Sequence, residues 1–335
     1  MDSPIKTLIL QIVVTLSMLF VASVSAQDVA YSKPAGFVIQ TLQPGRLNLI
    51  GLTLHEPVLF SGSFDTVNGT TLRDENTDFG EILVEGNSYI LEIVDNPSDV
   101  TLNGVMQVIT QWTGNNIISP DDLAVDNLGV GASYQLRSPK TISDVFGTSN
   151  SAGLTAGANI ASADVIWLHN GVGFEKFYYS EGGGFGGGEA GWKNDSGQDS
   201  GDYPIIYTDA MIIQSRASLE KKLVIAGVIK TKSITLALLE GKFNFISTTY
   251  PVGATLGNSG LEDDLVSNVD IEASDVIWMP DGDGGYNKYF FSPDGWKNSE
   301  GDPASDTKLS SGIVIERVGV AANAKLTPPL IYKNL

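Results

Sequence analysis

The residues of this chain best placed to do chemistry are tryptophans and acids that recur in matched positions. Trp192 and Trp296 each stand in Gly-Trp-Lys-Asn, and each follows an aromatic run, Lys176-Phe177-Tyr178-Tyr179-Ser180 and Lys288-Tyr289-Phe290-Phe291-Ser292. Glycine before each indole, Lys-Asn after it and an acidic loop beyond predict rings that are partly exposed. Flat apolar rings beside polar groups are the surfaces on which sugar rings stack. Trp192, Trp296, Tyr178 and Tyr179 are therefore the candidate ligand-binding residues, with an extracellular polysaccharide as the ligand. The competing reading places them in a core. Trp167 and Trp278 follow Asp-Val-Ile, and a strand of that composition is apolar on both faces, which predicts core tryptophans in central strands.

The acids invite a hard cation. Asp195, Asp199 and Asp202 follow the first Gly-Trp-Lys-Asn, and Glu300, Asp302 and Asp306 follow the second. Converging carboxylates would bind calcium, whereas solvated loops would leave them apart. Asp281 and Asp283 lie in Asp281-Gly282-Asp283-Gly284-Gly285, which has the Asp-x-Asp-Gly look of a calcium loop. Yet Ser292 stands where an EF-hand needs its closing glutamate. The sister turn, His169-Asn170-Gly171-Val172-Gly173-Phe174, has no acid at all, so a hairpin turn is the stronger reading.

Catalytic signals are sparse. The only histidines are His55 and His169, in unlike contexts, and there is no cysteine. No Gly-x-Ser-x-Gly elbow and no His-Glu-x-x-His helix occurs. Gly182, Gly184 and Gly187 match a dinucleotide fingerprint only formally, within a glycine tract that no helix follows. A two-carboxylate glycosidase follows no spacing rule and is the one enzyme class the acids leave open. The expectation is a non-catalytic protein without cofactor, calcium excepted. With 39 acids against 20 bases, a net charge of −19 argues against nucleic acid and anionic lipid as partners.

The elements that would position these residues form a repeat. Asp164-Val165-Ile166-Trp167, a turn, an aromatic run and Gly191-Trp192-Lys193-Asn194 reappear in order as Asp275-Val276-Ile277-Trp278, a turn, an aromatic run and Gly295-Trp296-Lys297-Asn298. Upstream, Arg46-Leu47-Asn48-Leu49-Ile50 is matched by Lys242-Phe243-Asn244-Phe245-Ile246. Strands also read at 36–41, 88–94, 105–112, 133–137, 205–216, 222–230 and 309–318, and 234–239 reads better as strand than as helix. The prediction is all-β: two tandem β-sandwich-like modules, 27–230 and 231–335, the first carrying a β insertion at about 61–140. A degenerate third copy is the alternative for that block. The tract Glu181–Gly188 has no counterpart in the second copy and belongs on an exposed loop. Residues 1–26, with Lys6, an apolar run from Leu8 to Val24 and small residues before Gln27, read as a signal peptide. No membrane insertion is expected after its removal, although an outer-membrane β-barrel is a further alternative.

The motifs Asn48-Leu49-Ile50-Gly51-Leu52-Thr53-Leu54-His55, Thr141-Ile142-Ser143-Asp144-Val145-Phe146-Gly147 and both Trp-Lys-Asn segments resemble an uncharacterised family of secreted verrucomicrobial β-rich proteins. The resemblance spans residues 36 to 329, implies the architecture and export, and brings no catalytic residues. The resulting expectation is a secreted protein of the bacterial surface, extracellular matrix or periplasm, working by self-assembly or adhesion. Carbohydrate binding is its rival.

Overall fold

The computed structural model describes residues 35–170, 172–183, 188–332 and 335. The signal expected at 1–26 and Gly184–Gly187 of the glycine tract lie outside them.

A strand apolar on both faces belongs in the middle of a sheet, and Asp-Val-Ile-Trp is placed there twice. Strand Val165–His169 is the centre of a five-stranded antiparallel sheet ordered Gly191–Asn194, Phe174–Ser180, Val165–His169, Met211–Gln214, Leu47–Ile50. Strand Val276–Pro280 is the centre of a second, ordered Gly295–Asn298, Tyr286–Ser292, Val276–Pro280, Gly312–Glu316, Phe243–Ser247. Each sheet has a two-stranded ribbon beside it: Ala35–Leu42 with Lys221–Val228, and Ile234–Leu238 with Ala322–Leu326. The repeat in sequence is thus a repeat in strand order.

Matching residues do matching work. Asn48 accepts from Gln43 N at 2.7 Å and donates to Ile213 O, and Asn244 accepts from Leu239 N at 2.8 Å and donates to Ile315 O. Each asparagine ties the ribbon to its sheet, satisfying backbone groups that would otherwise be buried unpaired.

Residues 58–137 fold apart from this pattern, as two four-stranded sheets. One runs Val58–Ser63, Ser133–Arg137, Tyr89–Asp95, Met106–Ile109 and the other Thr66–Asn68, Thr71–Arg73, Asn116–Ile118, Gln111–Thr113. They enclose their own core, in which Phe64 stacks on Tyr134 at 4.3 Å beside Leu72 and Phe79. Among the described residues no sheet closes on itself, which replaces the barrel alternative with open sheets. Helix is confined to short pieces such as Ile142–Phe146. The capping box of Thr141 and Asp144 opens that helix, a signal the sequence carries and the strand-based reading passed over.

The two five-stranded sheets do not stand as separate bodies; the described residues form one compact unit. They meet through matching elements: Ala210 N donates to Phe245 O at 3.1 Å, Ser247 N to Thr208 O at 2.8 Å, and Gly51 N to Ser311 Oγ at 3.3 Å. Leu49, Ala210 and Val314 are buried between them. A Cβ at Gly51 would lie 1.9 Å from Ser311 O and 2.6 Å from Ser247 Oγ, so this approach requires glycine.

Candidate functional site

The structure reverses the expected exposure of the tryptophans. Trp192 and Trp296 are each 3 % exposed and belong to the two cores. The cause is strand alternation: Trp192 faces inward between Gly191 and Lys193, meeting Tyr179 across the strand pair at 5.1 Å and Phe146 at 5.7 Å. Its indole N–H donates to Gly147 O at 2.8 Å. Trp296 meets Phe291, the counterpart of Tyr179, at 5.4 Å. Tyr178 is buried as well and Tyr179 half-buried, so these four residues present no platform to a sugar. Trp167 and Trp278 lie in central strands as expected, but half-buried, each capped by a cation: Lys176 Nζ sits 4.3 Å and Lys288 Nζ 4.0 Å from the ring centres.

The repeated acid that matters structurally is the one opening each motif. Asp164 accepts from Thr155 N at 2.7 Å and from Arg216 N, with Lys221 Nζ at 3.5 Å. Asp275 accepts from Val266 N and Val318 N, both at 2.8 Å, and is paired with Arg317. Each carboxylate pins the loop that enters the central strand to the end of its neighbour. Its presence in both copies was the signal that sequence reasoning overlooked.

The loop acids do not assemble a cation site. Asn194 and Asn298, closing the two Gly-Trp-Lys-Asn segments, accept backbone N–H groups from Ser196 and Gln198 and from Glu300 and Asp302, which makes both loops tight turns. Asp195, Asp199, Asp202, Asp302 and Asp306 are exposed on or beyond these turns, and Asp199 is taken up by Lys193. Asp281 accepts from Asp283 N at 2.7 Å and Gly285 N at 2.9 Å, and these N–H bonds hold its carboxyl below the usual range. Asn170 does the same for the sister turn, through Val172 N and Gly173 N. Asp283 points to solvent. Among the described residues no group of three or more His, Cys, Asp or Glu converges to hold a metal.

What the fold builds instead is a pair of related clefts, one on each side of the junction between the sheets. The first, about 350 Å³, runs between Gln40, Arg46, Asn48, Tyr286 and Ser311. Arg46 lies across it and donates to Gly282 O at 3.4 Å, while Ser311 Oγ donates to Gln40 Oε1 at 2.9 Å. The second, about 530 Å³, is lined by Leu168, His169, Tyr203, Asp209, Leu239 and Phe245. Asp209 holds the position that Ser311 holds in the first cleft. Among the described residues its carboxyl accepts one hydrogen bond, from Thr208 Oγ1 at 3.4 Å, and burial pushes it up to about 7. Burial, then the Lys242 charge, lowers His169, whose ring lies 5.8 Å from that of Phe245.

A third feature is buried charge where the insertion meets the repeats. Glu92 is paired with Lys230, and Arg137 Nε lies 3.6 Å away. His55 stacks on Tyr207 at 4.2 Å, and neither ring nitrogen has a hydrogen-bond partner among the described residues. Burial, reinforced by Lys230, Arg137 and Lys140, holds it well below the ordinary histidine range. None of these groups lines either of the two clefts.

The fourth is a surface. The ribbon Ala35–Leu42 with Lys221–Val228 buries Val38, Leu42, Leu223 and Ile225 on one face and turns Phe37 (68 % exposed), Ile39 (55 %), Val224 (55 %) and Ala226 outward on the other. In the second ribbon the counterpart of Ile39 is Thr235, 7 % exposed, because the insertion covers it. Thr235 N donates to Gly104 O at 3.1 Å and Thr235 Oγ1 to Asn103 O at 2.8 Å. No described strand pairs with the outer edge of Ala35–Leu42.

No family profile, curated protein or solved structure matches this chain.

Proposed function

We propose that the protein is a secreted, non-catalytic structural component of the cell surface or extracellular matrix that works by assembling with its own copies. The observation that carries this reading is the uncovered ribbon. A row of Phe37, Ile39, Val224 and Ala226 beside a strand edge that no described strand pairs is an aggregation liability unless it is an interface. The matching edge of the second ribbon is taken by the Gly104 loop, whereas no described strand takes that of the first, and in this reading another chain occupies it. A second copy suits it, because an antiparallel edge paired with itself about a two-fold axis is self-complementary. Export is supported by the apolar run at Leu8–Val24 ahead of small residues, and the burial of Trp192 and Trp296 weighs against a sugar-binding role through those rings.

Light scattering on the mature chain from Gln27 is the test. Dimers or larger particles are expected, unaffected by chelator, and reduced to monomers by Ile39→Lys or Val224→Lys. These substitutions lie on exposed positions and leave folding nearly untouched. A wild-type chain that stays monomeric as its concentration rises, or variants that assemble like wild type, would rule the ribbon out.

A further inference from the structure

The larger cleft has the wrong charge balance for a purely structural gap. Three buried carboxylates have a cation built in: Lys230 and Arg137 for Glu92, Lys221 for Asp164, Arg317 for Asp275. Asp209, which lines the 530 Å³ cleft, has none within ion-pairing distance among the described residues. The sister cleft carries its own cation, since Arg46 lines it and bonds across to Gly282 O. Lys242, the counterpart of Arg46, is absent from the lining of the larger cleft.

The walls supply the rest of the description. Leu168, Leu239, Tyr203 and Phe245 give it apolar and aromatic walls, and aromatic rings attract cations as well as hydrocarbon. Asp121, His169 and Tyr203 line the cleft with Asp209, Glu175 acts on Tyr203 and Lys242 on His169, so three carboxylates stand against one lysine and one histidine. An anionic ligand is disfavoured by Asp209, Asp121 and Glu175 and by the −19 charge of the whole chain. The volume lies within the roughly 300–1,000 Å³ usual for small-molecule sites.

We infer that this cleft binds a protonated primary amine on an alkyl chain, its ammonium group against the Asp209 carboxylate and its methylenes against Phe245 and Leu239. The amine supplies Asp209 with the kind of ion pair that Glu92, Asp164 and Asp275 already possess. Two sources share this chemistry, a free alkyl amine and a lysine side chain of another polypeptide. The site is independent of the ribbon, so assembly and amine binding succeed or fail separately.

Calorimetric titration of the mature wild-type chain with cadaverine and with N-acetyl-lysine methylamide tests it, with 1-pentanol as the uncharged control. Saturable binding of at least one amine is expected, weakened at least tenfold by Asp209→Ser, which installs the sister cleft's residue, and by Asp209→Asn, which keeps the shape. Phe245→Ala is expected to weaken it several-fold. Thermal unfolding confirms that each variant is folded, and the near-isosteric Asp209→Asn keeps the test decisive if Asp209→Ser is not. Binding of cadaverine alone assigns a small free amine, and equal binding of the blocked lysine assigns a lysine-bearing partner. Absence of binding by both amines, amine binding unchanged in Asp209→Asn, or pentanol binding as well as cadaverine would overturn the inference.

Discussion

At the scale of single residues, Asp209 and His55 pull stability in opposite directions with pH. Asp209 loses its proton near 3.8 when unfolded and only at about 7 when folded, so across that window the native state holds the extra proton and stability falls as pH rises. Asp209→Asn removes this slope. It is expected to stabilise the protein by about 1–3 kcal/mol at mildly alkaline pH, less than the full shift at about 1.4 kcal/mol per unit because the carboxyl is only partly enclosed. His55 is neutral in the folded state well below its usual 6.5, whereas the unfolded chain takes up that proton as pH drops through 6.5. Stability is therefore lost on acidification. His55→Phe, which keeps the stack on Tyr207 and removes two unpartnered nitrogens, is expected to flatten the acid limb at little cost near neutrality. Urea unfolding of the three proteins from acid to alkaline pH measures both slopes. Neither residue was legible as such in the sequence: His55 was visible only as a rare histidine. Asp209 was one acid among 39, and its meaning comes from what packs around it and from Ser311 at the matching position.

At the scale of elements, the central strands and their neighbours were read well because Asp-Val-Ile-Trp and the aromatic runs are long, apolar and duplicated. Side-chain direction was not. Gly-Trp-Lys-Asn looks like an exposed turn, yet it is a strand whose alternation sends Trp192 and Trp296 inward, while the turn begins only at Asn194 and Asn298. The opening aspartates were quoted as landmarks without a role, because their partners Val266, Arg317, Thr155 and Lys221 lie far off in sequence or outside the motif. Their loss is expected to be unequal. Asp275→Ala strands a buried Arg317 and should cost about 3–5 kcal/mol, whereas Asp164→Ala leaves Lys221, which is 21 % exposed and can reach water, and should cost less. Equal melting temperatures for the two variants would contradict that ranking.

At the scale of the whole molecule, the sequence announced repetition but not how the copies meet, since that contact is made by Gly51, Ser247, Ala210 and Phe245, residues with no distinctive local pattern. The apolar run Gly36-Phe37-Val38-Ile39 likewise predicts a strand without saying that one face stays bare. The junction carries a further meaning. Gly51 and Ser247 occupy matching positions and face each other, and a side chain at residue 51 would strike Ser247 Oγ. Two separate, identical subunits would carry the same residue at both places, so every substitution there would be made twice, against itself. Joined in one polypeptide, the halves are inherited as independent text. One half can carry glycine where the other carries serine, and one cleft a hydroxyl where the other carries an acid.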